Sequence, residues 1–354
     1  MALLTYRAVL APRSPTMTPW HADTIFGSLC WAIVRGHGPD QLAAFLHAYA
    51  DDEPPLVLSN GFVGGLLPAP LVPRPRRVFA TREEEQQLRD EAKRLKTRTY
   101  LTRDAFLRAC AGEDVRLELQ ERPDSSRDTL HNTGSRLGTG SVDGALYTMT
   151  ELWPGRRPGA SGVAVGAPTA TPEAAPIIVY ALVRPDYAAL IGAAWDALAA
   201  TGYGRRVSVG FGQVDLLGWT EADATTGLPA TLTGANGFVA LSNFCPAAGD
   251  PTIGYYRTMV KYGRLGEERG TRSSPFKRPL IQLIAGSCFY TTPSSAAASP
   301  GPVDLVVSPS GGANESVPPR RHYGRLVHGI HPTQDDVVQY GLALAAPIVL
   351  PLRP

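Results

Sequence analysis

The chain has 354 residues and nearly balanced charge, with 34 Lys and Arg residues against 32 Asp and Glu residues and a net charge of +2 at pH 7. This balance excludes a protein that coats nucleic acid indiscriminately through a globally basic surface, so any nucleic-acid site must be a local patch. Hydrophobic residues make up 44% of the chain, and the length favours two domains or one domain enlarged by insertions.

The four cysteines, Cys30, Cys110, Cys245 and Cys288, lie far apart and show no metal-ligand spacing. We therefore expect buried thiols in a reducing compartment, with no bound metal and no cofactor. The N-terminus lacks a basic segment followed by a long apolar stretch, and no window reaches the roughly 18 apolar residues of a membrane span. These features predict a soluble cytoplasmic protein that does not contact a membrane.

The first predicted elements alternate between strand and helix. A crowded apolar run at Leu3–Ala11 predicts a strand, and apolar residues at spacings of three and four predict a helix from Ala22, capped by Asp23 or Thr24. Two shorter elements follow, a helix over Gln41–Tyr49 and a strand over Leu56–Ser59.

A long polar excursion comes next. The stretch Thr81–Lys96 is charged nearly all round, acidic at its start and basic at its end, which is the order that a helix dipole favours, and it predicts an exposed helix. Lys96 and the nearby Arg98 lie at its basic tip. The segment Glu121–Val142 is rich in Gly and Ser and predicts a mobile hairpin or loop, whereas Ala145–Leu152 predicts a strand.

A sharply patterned unit follows the excursion. Its elements are a strand over Ile177–Val183, a helix from Pro185 to Ala200, a turn over Gly202–Gly212 and a strand over Val214–Trp219. The strong elements of residues 1–220 therefore read strand, helix, strand, excursion, strand, helix, strand. This is the ferredoxin-like order that RNA-recognition motifs also use, and it predicts an N-terminal domain at 1–220 with an insertion at about 61–175.

The remaining residues predict a second, smaller α+β unit at 221–354. A linker rich in Thr, Gly and Ala precedes it, and the segment Ser294–Pro319 is a low-complexity loop on which no structure is forced. Its apolar runs, mostly strands, are Phe238–Phe244, Tyr255–Tyr262, Leu280–Phe289 and Val337–Leu350.

The most specific local signal is the glycine-rich loop, in which Gly202, Gly204, Gly210 and Gly212 surround Arg205, Arg206 and Ser208. Glycine lets backbone amides approach a phosphate, and the arginines and the hydroxyl add charge-assisted donors. A helix cap followed by a bulged strand explains the glycines equally well. The loop is not a nucleotide-binding fingerprint, because it follows a helix and precedes a strand.

The loop and six other segments resemble the RAMP superfamily of CRISPR proteins, in particular the fourth Csm subunit of type III-A effector complexes. The resemblance spans nearly the whole chain, and its segments are Trp20–Ile33, Leu56–Pro70, Ala92–Phe106, His131–Thr148, Pro275–Tyr290 and His328–Leu344. The acidic pair Asp335 and Asp336 and the long loop at Ser294–Pro319 depart from the family pattern, which leaves a sister type III branch open.

This resemblance implies an α+β fold of tandem ferredoxin-like (RRM-like) domains with long loop insertions and a glycine-rich loop. It implies a non-catalytic subunit that grips the 5′ handle of the CRISPR RNA and docks to the large polymerase-like signalling subunit and to the backbone RAMP subunits, reaching target RNA only indirectly. The loop at 132–144 corresponds to a thumb between guide and target. The residues expected to bind RNA are His21, Lys96, Arg98, Asn132, Arg136, Gly202, Gly204, Arg205, Arg206, Ser208, Gly210, Gly212, Lys277 and Arg278.

Catalysis is the main alternative. Some relatives in the wider superfamily cut precursor RNA without metal, which needs a general acid and a general base, so His21, His131 and His331 are candidates. His21 precedes the first helix, where a structural hydrogen bond or an RNA contact is favoured, and His331 before a proline is typical of a turn. His131 in its polar segment keeps the endoribonuclease hypothesis open. A third hypothesis, a general RNA-recognition protein, lacks the expected paired aromatic residues on adjacent strands.

Overall fold

A computed structural model describes residues 2–51, 53–73, 81–82, 86, 89–90, 93, 95, 97–132, 146–155, 174–266, 269, 274–291 and 320–351. The helices with defined bounds are α1 (Ala22–His37), α2 (Pro39–His47), α3 (Arg103–Cys110) and α4 (Ala188–Thr201). The strands are β1 (Leu4–Pro12), β2 (Leu56–Leu58), β3 (Phe62–Val63), β4 (Leu67–Pro68), β5 (Arg98–Leu101), β6 (Gln120–Glu121), β7 (Ser125–Asn132), β8 (Leu146–Trp153), β9 (Ile177–Val183), β10 (Val214–Glu221), β11 (Gly237–Ala240), β12 (Gly254–Tyr255), β13 (Thr258–Lys261), β14 (Leu280–Leu283), β15 (Cys288–Tyr290), β16 (His322–Gly324) and β17 (Leu342–Ile348).

The N-terminal half forms a sheet with the strand order β10-β1-β9-β2, and β3 adds to β9. All of these pairs are antiparallel. Helices α1 and α4 each follow a strand of this sheet and pack together, because both present an apolar face, with Leu29 and Trp195 fully buried. The element order and the sheet order are those of one ferredoxin-like unit, as predicted for residues 1–220.

The start of α1 differs from the prediction that Asp23 or Thr24 caps it. His21 occupies the N-cap position and makes no capping bond through its side chain. Instead, the N–H of Ala22 donates to Oδ1 of Asn60, which lies 2.9 Å away and follows β2. The side chain of Asn60, which is distant in sequence, therefore accepts from one of the free N–H groups at the start of α1. The carboxylate of Asp23 is not used as the helix cap.

The insertion contains its own small elements. Strands β4, β5 and β6 form one sheet, and Thr102 caps α3 by accepting a hydrogen bond from the N–H of Ala105. Strands β7 and β8 pair in register from Ser125 opposite Trp153 to Asn132 opposite Leu146, which confirms the hairpin predicted in this region. Described positions between 82 and 95 are helical, as predicted for Thr81–Lys96.

The C-terminal half is mainly β in the part that the structure describes. Its principal sheet has the order β12-β15-β11-β17-β16, and β13 and β14 form a separate two-stranded ribbon. Two predicted strands, Tyr255–Tyr262 and Leu280–Phe289, are each divided in two. Among the described residues of 221–351 only Arg269 is helical, so a second ferredoxin-like unit is not confirmed. The loop at Ser294–Pro319 lies outside the described residues.

One hydrophobic core joins the two halves. Tyr340 is buried, and its ring lies at a tilt of 30° with its centroid 4.7 Å from that of Phe26 in α1, while its hydroxyl accepts a 2.7 Å hydrogen bond from the N–H of Leu58 in β2. The domain boundary between 220 and 221 therefore stays a prediction. Cys110, Cys245 and Cys288 are buried free thiols, as predicted, and Cys30 is half-buried. None of the helices seen in the described residues is long and apolar enough to cross a bilayer.

Candidate nucleic-acid interface

The glycine-rich loop combines a helix cap with an exposed tip. Gly202 ends α4 with a φ of 89°, and its N–H donates to the carbonyl of Leu198 at 2.7 Å. Gly212 has a φ of 67°, and a Cβ there would lie 1.9 Å from the carbonyl oxygen of Tyr203. The backbone conformation therefore requires glycine at both positions, and the buried Gly212 determines the shape of the loop. The cap that the spacing predicted coexists with an exposed tip.

The base of the loop is held by the segment that follows β1. The ring of Tyr203 stacks on Trp20 with centroids 3.7 Å apart, and its hydroxyl donates to the carbonyl of Pro19 at 2.6 Å. The N–H of Gly212 donates to the carbonyl of Pro15, and the N–H of Arg205 donates to Oγ1 of Thr18 at 3.2 Å. These contacts at the base of the loop therefore hold the tip in a defined position.

The exposed tip contains Gly204, Arg205, Arg206 and Ser208, and Ser208 lies in a short 3-10 turn at Val207–Val209. Arg206 has a φ of 59°, the one positive φ outside glycine among the described residues. Such a backbone costs about 1–2 kcal/mol for a residue with a Cβ, and strained residues of this kind cluster at functional sites. Both the strained backbone and the positive charge of Arg206 therefore make it a candidate binding residue.

The tip faces a cleft of about 940 Å³. One wall is the loop itself, and a second is a face of α1 whose residues recur at helical spacing, including Thr24, Gly27 and Trp31. The third wall is the β13–β14 ribbon and its continuation through Gly266. Three segments far apart in sequence thus line one groove.

The cleft is strongly cationic. One acidic side chain, Asp23, lies among its described lining residues, and the cations are Arg35, Arg205, Arg206, Lys261, Arg264 and Lys277. A concentration of this kind in a chain of nearly balanced charge is the local patch that the composition required, and it favours a polyanionic ligand.

A buried polar network forms the floor of the cleft and joins the two halves. The side chain of Asp23 is 1% exposed, and its Oδ1 accepts from Nζ of Lys261 at 3.0 Å. Its Oδ2 accepts from Nε2 of Gln339 at 2.6 Å, and Oε1 of Gln339 accepts from Nζ of Lys277 at 3.0 Å. Burial lowers the pKa of Lys277 to about 8. This network fixes the ribbon against α1.

A smaller cavity of about 300 Å³ lies beside the same segment, lined by Trp20, His21, Phe62, Tyr100 and further residues. Burial lowers the pKa of His21 to about 4, and the positive charge of Lys261 adds to this shift. The imidazole is therefore neutral at physiological pH and supplies no charge for a phosphate. His21 therefore lines this smaller cavity and does not line the cleft.

The predicted site residues divide into groups. Six line the cleft, namely Gly202, Gly204, Arg205, Arg206, Ser208 and Lys277. Gly210 and Gly212 belong to the loop without lining the cleft, Arg98 is exposed on β5, Asn132 ends β7, and Arg278 is exposed after the ribbon's turn. Lys96 and Arg136 lie outside the described residues.

Several residues of the cleft escaped the sequence interpretation. Arg35 shares a helical face with Thr24 and Trp31, and that spacing could have found it. Asp23, Lys261, Arg264 and Gln339 carry no local signal, because only the folded chain brings them together. In the described residues, no group of three or more His, Cys, Asp and Glu side chains could hold a metal ion.

Solved structures identify the fold. A chain of a Csm1–Csm4 cassette in complex with pppApA matches with a TM-score of 0.56 and 19% sequence identity, covering 99% of this chain and 100% of that one. A chain of a Csm3–Csm4 subcomplex of a type III-A CRISPR-Cas interference complex matches with a TM-score of 0.52 and 14% identity, covering 99% and 100%. This chain has the Csm4 fold. No protein-family model matches it, and no curated protein matches it by sequence.

The likeness to Csm4 confirms, for the fold, the resemblance drawn from the sequence segments. It covers both halves, so the mainly β C-terminal half is part of the shared architecture. A second cassette, in complex with cA4, matches with a TM-score of 0.55 at the same 19% identity over 99% of each chain. Identities this low show the Csm4 fold alone, and the role of the chain rests on its own residues.

Proposed function

We propose that this chain is a non-catalytic CRISPR RNA-binding subunit of a type III CRISPR effector complex. The observation that carries the proposal is the cationic cleft, in which Arg205 and Arg206 on a supported loop face Arg35 and Arg264. Arginine and exposed amides on a glycine-rich tip suit the sugar-phosphate backbone, and these groups read no base edges. The loop therefore grips the 5′ handle of the guide RNA by its phosphates.

The proposed partners are the large polymerase-like signalling subunit and the backbone RAMP subunits. The solved chains with this fold occur with Csm1 in one assembly and with Csm3 in another, which supports both kinds of partner. The proposed thumb is the loop at 132–144 expected from the sequence, through which target RNA is reached indirectly. Strands β7 and β8 flank it, and 133–145 lie outside the described residues.

Two histidines support a non-catalytic role. The ring of His331 is engaged at both nitrogens, since Nε2 lies 2.7 Å from the carbonyl of Ser274 and Nδ1 accepts from the N–H of Thr333 at 3.2 Å. His21 is largely buried outside the cleft, with a pKa near 4 that suits proton transfer at neutral pH poorly. Neither is placed to act on RNA held in the cleft.

Salt-dependent binding tests the proposal. Replacing Arg205 and Arg206 by Ala should weaken binding of single-stranded handle RNA. It should also reduce the slope of log K against log salt by about 1.4, because each lost contact to a single strand removes about 0.7. Arg108 and Arg116, which lie outside the cleft on and after α3, provide a matched double control. An unchanged slope in the Arg205 and Arg206 variant, or an equal change in the control, would contradict the proposal.

The endoribonuclease alternative has its own test. Purified protein incubated with repeat-containing RNA in EDTA should leave the RNA intact, since the proposed subunit only binds it. Defined cleavage that disappears in a His131→Ala or His21→Ala variant would overturn the non-catalytic assignment.

A further inference from the structure

The β13–β14 ribbon has two faces with different chemistry. Exposure alternates along β13 and the residues that follow it, with Thr258 and Val260 exposed on the strand and Tyr262 and Arg264 exposed beyond its end. On β14, Ile281 is exposed directly opposite Val260, and the exposed Phe276, which precedes β14, forms an isolated bridge with Arg264. We call the set Val260, Tyr262, Arg264, Phe276 and Ile281 the outer ribbon face.

The inner side of the ribbon packs against the rest of the fold. Lys261 on β13 and Lys277 before β14 join the network around Asp23, and Gln282 on β14 is buried. This anchoring fixes the ribbon, so the outer ribbon face is displayed on a supported element with little freedom to rearrange.

Aromatic side chains dominate the exposure of this face. Tyr262 is 74% exposed and Phe276 is 61% exposed, so packing among the described residues accounts for neither ring. The guanidinium of Arg264 lies over the ring of Phe276, 5.8 Å from its centroid. Tyr262 and Arg264 also line the cationic cleft, so the outer ribbon face begins where the cleft ends.

Exposed aromatic rings interleaved with arginine beside a cationic groove have a specific use. Proteins that hold single-stranded nucleic acid combine a positive groove that follows the backbone with aromatic rings on which the bases stack. A protein partner would fit Val260 and Ile281, but it would not account for Tyr262 and Arg264 facing the cleft. The charge and the position of the aromatic residues therefore favour RNA.

We propose that the outer ribbon face is a stacking platform for unpaired RNA bases, with Tyr262 and the Arg264–Phe276 pair as its contacts. This inference rests on the proposed function, because the stacked bases belong to the strand whose phosphates lie in the cleft. The platform is tolerant of sequence, since every base has a π face. It adds base contacts to a cleft that otherwise binds the backbone.

Binding of two oligomers by the full-length chain tests this proposal. One is a labelled 12-nucleotide single-stranded RNA of mixed sequence, and the other has the same length but abasic sugars throughout. We expect Tyr262→Ala to lower affinity for the RNA by about 5- to 150-fold and to leave affinity for the abasic oligomer unchanged. Tyr262→Phe should retain tight binding. The slope against salt should not change, because tyrosine neutralises no phosphate.

Tyr256 offers a matched control. It is 52% exposed, stacks on Phe289 and does not line the cleft, so Tyr256→Ala should leave RNA binding unchanged. Equal losses in the Tyr262 and Tyr256 variants, or an equal loss on the abasic oligomer, would overturn the platform. So would a Tyr262→Ala variant that binds RNA normally but no longer co-purifies with its protein partners. Absence of RNA binding by the unmodified chain would instead contradict the proposed function.

Discussion

Removal of the Asp23 carboxylate is the most informative perturbation of the cleft floor. In Asp23→Ala, the half-buried ammonium of Lys261 loses its partner at 3.0 Å, and Nε2 of Gln339 loses its acceptor at 2.6 Å. At that separation and an effective dielectric constant of about 20, the lost attraction is about 5 kcal/mol. Breaking a buried pair by removing one partner typically costs about 3–5 kcal/mol, so we expect a loss of that size.

Urea unfolding followed by circular dichroism measures this loss. Asp40→Ala is the matched control, because Asp40 is also an acidic residue in the first turn of a helix but is exposed, and it should cost less than about 1 kcal/mol. In the double variant with Lys261→Ala, the cost should fall below the sum of the two single costs, since the two groups lie in direct contact.

A loss below about 1 kcal/mol for Asp23→Ala would refute this reasoning, and so would strictly additive costs in the double variant. Either result would mean that the carboxylate and the ammonium do not depend on each other. The ribbon would then need another explanation for its position against α1.

Three further substitutions test separate parts of the account. Gly27→Ala should raise the free energy of unfolding by about 0.5–1 kcal/mol, yet lower RNA affinity in the same binding assay, because its methyl group enters the cleft where no atom lies within 4 Å. Because the pKa of His21 is lowered to about 4, the unfolded chain binds the extra proton between about pH 6.5 and 4, so stability to urea should fall as pH falls through this window. His21→Gln should remove this contribution and His37→Gln should not. Gly212→Ala should lower the free energy of unfolding, measured by heat or urea, by about 3 kcal/mol or more, because its Cβ meets the carbonyl of Tyr203. Gly210→Ala should lower it by only about 1–2 kcal/mol, because Gly210 has a φ of 93° but open space around it.

The N-terminal sheet was predictable because its signals are local and strong. The strand at Ile177–Val183 is a continuous apolar run, and its predicted bounds equal those of β9. The helices α1 and α4 show regular apolar spacing and end at Gly38 and Gly202. Strand order then follows from the few ways in which such elements can pack.

The C-terminal half was less predictable, because its strands are short and gain their partners from distant segments. Strand β11 has four residues and pairs with both β15 and β17. The turns that divide the predicted strands depend on tertiary contacts, such as the N–H of Gly286 donating to the carbonyl of Ala240. The predicted cap of α1 was wrong for the same reason, since its acceptor Asn60 lies 38 residues away.

The cleft was predictable in part. The glycine-rich loop is contiguous, so its residues point to phosphate binding without knowledge of the fold. The floor of the cleft joins Asp23 to Lys261 and Gln339, which are 238 and 316 residues away, and no spacing rule connects them. The alternating pattern of the outer ribbon face is visible in the sequence, but the pattern alone does not say which face is exposed. That depends on which face the network around Asp23 covers.

Co-purification shows whether the chain holds guide RNA within a larger assembly. The tagged chain, expressed together with the proteins of its neighbouring genes, should purify with a large subunit, with backbone subunits and with guide RNA of a fixed 5′ sequence. Replacing Arg205 and Arg206 by Ala should reduce the bound RNA while the variant stays folded. Purification of the unmodified chain without guide RNA, or with RNA of random 5′ ends, would contradict the account.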